Sequence, residues 1–166
     1  DWSSDVCSSD LIDHVGATAP LQAATGAAAR IHEADRFLYR MLPVQAALIG
    51  GRPPPSADME GDLEDDTSVR AGALALRVLH TPGHTPGSCT FLASDAHGTQ
   101  IAFAGDTLFR RGIGRTDLWG GDGELILRSL RDRLLTLDDD VRVIAGHGPD
   151  TTIGEERRAN PFLRRL

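Results

Sequence analysis

The chain has 166 residues, 40% of them apolar and 25% charged, which is long enough for one domain with its own core. Its 17 cations are all arginine and are outnumbered by 24 acids, so the net charge of -7 argues against nucleic-acid and anionic-membrane binders and favours a small-molecule partner. No stretch approaches the ~20 apolar residues of a membrane span, and two distant cysteines, Cys7 and Cys89, predict a reducing, cytoplasmic setting rather than a disulfide framework.

The first eleven residues differ in composition from the rest of the chain. They are rich in serine and aspartate and contain no alanine or arginine, whereas an alanine- and arginine-rich sequence follows directly. The segment resembles the translated read-through of a sequencing adapter, and it lacks the layout of a signal peptide. A native disordered tail or a cloning scar is the alternative. We therefore expect residues 12–166 to form the domain.

Short helices and a strand are predicted in the first third of this domain. Alanine-rich residues 17–29 predict a helix that ends near Gly26, and residues 29–32 predict a brief strand. Residues 33–49 predict a second helical stretch, which Pro43 kinks or splits because proline cannot continue the helical hydrogen bonds.

Strands follow in runs, and helices close the chain. Two hairpins are predicted, from residues 67–70 with 73–79 and from 88–93 with 99–104. In the first hairpin, Leu74, Leu76 and Val78 alternate with other residues and are expected to share a buried face. The remaining elements are a helix capped by Asp122 and reaching about Leu137, a strand at 141–145, and a helix opened by the capping box Thr152 to Glu155.

Three predicted strands each run into a polar residue bracketed by glycine. These residues are His84, Asp106 and His147, and Asp13 with His14 forms a fourth element near the start of the domain. Glycine allows close approach of the backbone, so loops of this kind suit side chains that converge on one rim. Imidazole and carboxylate donors without thiolate favour zinc, iron or manganese.

Each of these elements alone has a simpler explanation as a stiff or capped turn. The coincidence of four such elements in one domain is what favours a ligand set. Among the other histidines, His97 is expected to be solvated and His32 to be structural. His80 is expected to bond within its own turn or to support the site from behind the ligands.

Taken together, the motifs resemble the metallo-β-lactamase-fold hydrolases, specifically the glyoxalase II-like branch. The resemblance covers essentially residues 12–166 and rests on segments 81–88, 103–109, 112–117, 146–149 and 151–163. It implies an α+β fold, the αβ/βα sandwich of that family, here lacking its first strands, with a dinuclear metal site on one edge of two sheets.

The resemblance also implies a ligand set. Asp13 and His14 match the last two residues of the family's His-x-His-x-Asp-His element, His84 matches its Gly-His-Thr loop, Asp106 its metal-bridging aspartate and His147 its last histidine.

The two earlier histidines of that element would fall at positions 9 and 11, which here are Ser9 and Leu11. We therefore expect an amino-terminally truncated copy of a longer enzyme, itself impaired. One metal position keeps four ligands and the other keeps only His84 and the shared Asp106.

For the intact enzyme, the resemblance implies two divalent metal ions, with zinc as the first choice and iron or manganese as alternatives. A metal-bridging hydroxide, oriented by Asp13 and held at Asp106, would attack a thioester such as S-lactoylglutathione. The expected partner is thus a small-molecule thioester, with no nucleic acid or membrane. Arg111, Arg115 and Tyr39 are candidate contacts to an anionic substrate.

Three alternatives stay open. An iron-dependent persulfide dioxygenase shares the segment from Gly114 to Asp117, although the complete Asp13-His14 pair favours the dinuclear hydrolase. Antibiotic hydrolysis is disfavoured, since Asp106 stands where some true β-lactamases of the superfamily place a cysteine. An inactive fragment is the third. The helical domain with which glyoxalase II grips glutathione has no counterpart after Leu163, so the identity of the thiol stays open.

Overall fold

Eleven strands form three sheets in the computed structural model, which describes residues 4–6, 11–95, 97–164 and 166. In chain order the strands are β1 (Ser4–Val6), β2 (Ala28–Ile31), β3 (Met59–Asp62), β4 (Ser68–Ala71), β5 (Leu74–His80), β6 (Cys89–Ser94), β7 (Gln100–Gly105), β8 (Leu108–Phe109), β9 (Gly112–Ile113), β10 (Arg142–Ala145) and β11 (Thr151–Thr152). The helices are α1 (Ile12–Val15), α2 (Thr18–Thr25), α3 (Arg36–Arg40), α4 (Leu42–Leu48), α5 (Gly123–Ser129) and α6 (Ile153–Ala159). Within the described residues, none of these helices has the length and apolar character needed to cross a bilayer.

The largest sheet has six strands in the order β11-β10-β7-β6-β5-β4. Strand β6 is antiparallel to both β5 and β7, and β10 is parallel to β7, so β5, β7 and β10 all run in one direction. The carboxyl ends of these three strands therefore meet at a single edge of the sheet. The loops that follow them carry His84, Asp106 and His147, which confirms the predicted rim.

Apolar clusters cover both faces of this sheet. Successive side chains along a strand point to opposite faces, so neighbouring residues enter different clusters. Phe91 belongs to one apolar cluster and its neighbour Leu92 to the other. The Leu92 cluster includes Ile126 and Leu130, with Ile153 from α6, so helices cover that face. Leu63, which follows β3, packs into the Phe91 cluster on the opposite face. Helices and sheets segregated in this way give the α+β architecture expected from the sequence.

Most predicted elements are present. Helix α2 ends at Gly26, whose φ of 69° gives the left-handed cap, and Pro43 lies in the first turn of α4, where it separates α4 from α3. Asp122 caps α5 by accepting hydrogen bonds from the backbone N–H groups of Glu124 and Leu125. Both predicted hairpins form as antiparallel pairs.

Two local predictions were wrong, and one strand was not predicted. Leu74 is 51% exposed, because it lies next to the turn and beyond the covered part of the sheet. After Ser129 the helix widens into a π-helical turn at Leu130–Leu134, three residues short of the predicted end. Strand β3 pairs with β2 although its Met-Glu-Gly-Asp sequence lacks the alternation typical of strands.

The segment 1–11 is described only in part. The backbone of residues 4–6 forms β1, parallel to β2, and Leu11 precedes α1 with its side chain buried. Residues 1–3 and 7–10, including Cys7 and Ser9, lie outside the described residues. The adapter origin of this segment stays a prediction.

Candidate metal centre

Asp106 lies at the centre of the predicted ligand set. Its Oδ1 is 3.4 Å from His14 Nε2, and its Oδ2 is 3.5 Å from His84 Nε2 and 3.7 Å from His147 Nε2. Asp13 completes the group, since its Oδ2 is 3.1 Å from His147 Nε2. The fold thus brings all five predicted ligands together from α1 and from the three loops at the sheet edge.

Four of these residues form a group that could hold one ion. Asp13, His14, Asp106 and His147 each offer one donor atom, and these atoms all lie within 4.8 Å of one another. His84 adjoins this group through Asp106. Two imidazoles and two carboxylates suit zinc, iron or manganese, which accept mixed nitrogen and oxygen ligands.

Unpartnered buried atoms support a metal at this position. His14 Nε2, His84 Nε2 and Asp106 Oδ1 are buried, and none of them has a hydrogen-bond partner. A buried polar atom without a partner costs free energy, so native structures rarely leave three such atoms facing one another. Coordination of a cation would satisfy all three, and the residues present therefore fit a metal ion.

A backbone carbonyl sets the orientation of His84. The Nδ1 of His84 donates a hydrogen bond to the carbonyl oxygen of Arg115 over 2.8 Å, so Nε2 is the ring nitrogen that faces Asp106. Gly114 allows the segment before Arg115 to pack against the backbone of Asp106, because a Cβ at position 114 would overlap the carbonyl oxygen of Asp106. The role of this backbone was not predicted from the sequence.

Gly146 leaves room for the ligands, and we expect its replacement by alanine to weaken metal binding. An added Cβ would overlap Asp106 Oδ1 and approach His14 Cε1 to 2.8 Å, so both ligands would have to move. Isothermal titration with Zn²⁺ should show an affinity loss of about 10- to 100-fold, the scale of disturbed ligand orientation. Gly112→Ala is the control, because its Cβ would meet only Phe109 Cβ at 3.7 Å. Equal Zn²⁺ affinities for the two variants would contradict the prediction.

The charges within the site favour an ionised Asp106. Burial alone would raise the pKa of this carboxyl, but contact with His14 and the charges of His84 and His147 outweigh burial and lower the pKa. The nearby Asp106 carboxylate in turn raises the pKa of His14, against the opposing effect of burial. A proton on His14 competes with a metal ion for Nε2, so binding is expected to strengthen as pH rises through that pKa.

Asp35 holds the loop that carries His84. It is 1% exposed, and its carboxylate accepts hydrogen bonds of 2.6 Å from Thr85 Oγ1 and from the backbone N–H of Gly87. Burial raises the pKa of Asp35, while these two hydrogen bonds partly offset that shift. The sequence carried no signal for this contact, because Asp35 lies fifty residues from Thr85 in an apparently helical stretch.

A cavity of about 780 Å³ opens beside the ligands. It is lined by Asp13, His84, Asp106 and His147 and by apolar residues from α4, the β8–β9 hairpin and the segment before α5. Arg115 lines it as well, but its guanidinium makes two hydrogen bonds of 2.7 Å to Asp117.

Two candidate substrate contacts lie elsewhere. The Tyr39 hydroxyl donates to the carbonyl oxygen of Ala57 and accepts from its N–H, and so fastens two segments of the chain together. Arg111 has a φ of 63° and donates its backbone N–H to the buried Glu156. Neither residue is among the described residues that line the cavity. Contact of Tyr39 or Arg111 with a substrate stays a prediction.

The remaining histidines are outside the ligand group. His80 bonds through Nε2 to the carbonyl oxygen of Pro86 over 2.9 Å and stacks on His32 with ring centroids 4.1 Å apart. His97 is exposed in the β6–β7 connection. These positions agree with the structural and solvated roles expected of them.

Comparison with known proteins gives one consistent picture. A family model described as the metallo-beta-lactamase superfamily matches residues 12–147. Hydroxyacylglutathione hydrolase GloC of Haemophilus influenzae is 42% identical over 159 residues, which cover 92% of this chain and 71% of that protein. Two crystal structures share the fold. TTHA1623 in a di-iron-bound form is 39% identical, with a TM-score of 0.83, and the match covers 96% of this chain and 77% of that one. ETHE1 from Myxococcus xanthus is 29% identical, with a TM-score of 0.74, and the match covers 96% of this chain and 61% of that one.

Since the family model spans most of the chain and the ligand residues meet at one sheet edge, the chain belongs to the metallo-beta-lactamase superfamily.

Proposed function

We propose that the chain is a metal-dependent hydrolase that cleaves a small-molecule thioester such as S-lactoylglutathione. The observation that carries the proposal is the convergence of Asp13, His14, Asp106 and His147, with His84 adjoining, beside an open cavity. The relative named hydroxyacylglutathione hydrolase supports the reaction type.

Two divalent metal ions are proposed for the intact enzyme. Asp13, His14, Asp106 and His147 would hold one ion, while His84 and the second oxygen of Asp106 would contribute to the other. When bound, such ions supply Lewis acidity, which activates water and stabilises charge that develops on a carbonyl oxygen. Zinc suits these donors, and a structural neighbour that was solved in a di-iron-bound form supports iron as the alternative.

The residues of the chain have separate tasks in this reaction. Asp13 is half-exposed beside the cavity, so its carboxylate can accept a proton from the attacking water. The water oxygen bonds to the thioester carbon, the carbon–sulfur bond breaks, and the thiolate leaves with that proton to give a carboxylic acid and a thiol. Asp106, buried and ionised, presents its two carboxylate oxygens towards His14 and His84, where they would help to hold the metal ions. We infer a cytoplasmic setting, with neither nucleic acid nor membrane as partner, from the acidic net charge and the free, buried Cys89.

Release of free thiol from S-lactoylglutathione by the metal-loaded chain tests the proposal. Asp13→Asn should lower kcat per bound metal ion by about 100-fold or more, as loss of a general base does. The metal content of each preparation is measured alongside, because Asp13 is also a proposed ligand. Asp138→Asn, at an exposed position away from the site, should keep the parent rate. Thiol release that is equal in the two variants would contradict the role of Asp13, and the absence of release from any thioester would contradict the reaction.

A persulfide dioxygenase with one iron is the second candidate. It is favoured by the single position with four described donors and by the Gly-Arg-Thr-Asp segment at 114–117. Oxygen uptake with glutathione persulfide, measured on the iron-loaded chain, separates the two reactions. Uptake without thioester cleavage would assign the dioxygenase, and thioester cleavage without uptake would assign the hydrolase. A chain that performs neither reaction would be an inactive fragment.

A further inference from the structure

Part of the lining of the cavity beside the metal ligands is apolar and open to solvent. Leu48 and Ile49, at the end of α4, are 67% and 70% exposed and face the same cavity as Trp119. Phe109, Ile113 and Leu118 extend this lining. Large apolar side chains left in water beside a reactive site mark a surface that covers an apolar ligand.

The charges around the cavity also favour an uncharged ligand. Arg115 is the one arginine among the described residues that line it, and both of its hydrogen bonds to Asp117 are charge-assisted. The hydrogen bonds from Arg115 lower the pKa of Asp117 to about 2. The aspartate therefore stays ionised and would repel an anion. A substrate with free carboxylates would find no unpaired arginine along this described lining.

We infer that the cavity selects thioesters with an uncharged, apolar group, and that Leu48 and Ile49 are residues that determine this specificity. The inference rests on the proposed function and names its substrate class. S-Lactoylglutathione has only a small polar acyl group, so a thioester of the same thiol with an apolar acyl chain is expected to bind more tightly than it does, because only the apolar chain covers this surface.

Binding of thioethers, which cannot be hydrolysed, tests the inference without any catalysis. The probes are S-methyl- and S-hexyl-N-acetylcysteamine, which are uncharged, and S-hexylglutathione, which carries two carboxylates and an ammonium group. Each fully buried methylene strengthens binding by about fourfold, so in this open cavity the hexyl compound should bind at least about tenfold more tightly than the methyl compound. Titration calorimetry gives the affinities. The fluorescence of Trp119, measured in a Trp2→Phe chain so that no second tryptophan contributes, reports occupancy of the cavity itself.

The glutathione analogue gives the second readout. S-hexylglutathione is expected to bind no more tightly than the uncharged hexyl compound. A methyl-to-hexyl affinity ratio near one would overturn the inference, and so would S-hexylglutathione binding more than about tenfold more tightly than its uncharged counterpart.

A pair of variants on α4 assigns the effect to the two residues. Leu48→Ser/Ile49→Ser should reduce the hexyl preference by about fourfold or more, since two apolar side chains no longer contact the alkyl group. Both positions are exposed, so the fold does not depend on them. Val44→Ser is the matched control, because Val44 lies on the same helix, is 49% exposed and is not among the described lining residues. An equal effect of the control would overturn the assignment.

Titrations without metal separate this inference from the proposed function. The hexyl preference should persist in the metal-free chain, because the apolar wall carries it. A chain that keeps the preference but hydrolyses no thioester would contradict the proposed reaction and support the apolar cavity. Loss of the preference in both metal-loaded and metal-free protein would overturn the inference alone.

Discussion

Replacing Asp106 with alanine is expected to abolish tight binding of divalent metal. Both carboxylate oxygens lie within 3.7 Å of histidine Nε2 atoms, so the substitution removes a donor from each proposed metal position at once. It also leaves His14 and His84 buried with nothing between them. The Zn²⁺ affinity, measured by competition with a chelator, should fall by more than roughly 100-fold. Loss of a residue that only hydrogen-bonds to a ligand costs up to about that much, and Asp106 is itself a ligand.

A variant beside the same cavity serves as the control for Asp106. Asp117→Ala removes a carboxylate that is bonded to Arg115 and lies outside the ligand group, so Zn²⁺ affinity should not change. Circular dichroism of both variants checks that the fold is retained. If Asp106→Ala bound Zn²⁺ as tightly as the parent chain while folded, the metal centre would have to be placed elsewhere.

The double substitution Ser9→His/Leu11→His is expected to add a second metal ion. The family resemblance places two histidine ligands at these positions, and Leu11 already lines the cavity shared by His84 and Asp106. Zn²⁺ content should rise from about one to about two ions per chain, as a second set of nitrogen donors is completed. Because a second ion adds several kcal/mol of transition-state stabilisation, thioester hydrolysis should increase by about 100-fold or more.

The same two histidines in the wrong register give the matched control. Ser8→His/Asp10→His adds identical side chains one residue earlier, where the His-x-His-x-Asp-His spacing is broken. This variant should keep the metal content and rate of the parent chain. A parent chain that already binds two ions, or two doubles that behave alike, would contradict the expectation.

Local chemistry made much of the fold predictable. Gly26 ends a helix and Asp122 begins one through interactions within a few residues, and the strands next to the β4–β5 and β6–β7 turns follow from their own sequences. Strand β3 was missed for the converse reason: its residues carry no alternation, and only pairing with β2 makes them a strand.

The candidate site, like the fold, could be predicted only in part from the sequence. His84, Asp106 and His147 were identified from short glycine-bracketed motifs, and their convergence followed from strands that end at one edge. Asp13 and His14 were identified from their match to the family's His-x-His-x-Asp-His element. Arg115 was predicted as a contact to an anion, yet its side chain is paired with Asp117 and its carbonyl oxygen orients His84. The part played by the backbone of a residue cannot be deduced from its side chain.

The sequence by itself determined the kinds of donor, their order along the chain and the turns that present them, because these properties depend on neighbouring residues. Only the tertiary structure decided which groups meet: Asp35 with the Thr85 loop, Glu156 with the Arg111 turn, and Leu48 with the cavity beside Asp106. Such contacts join segments that are distant in the sequence, and their energies arise from burial and partner geometry that exist only once the sheet edge has formed.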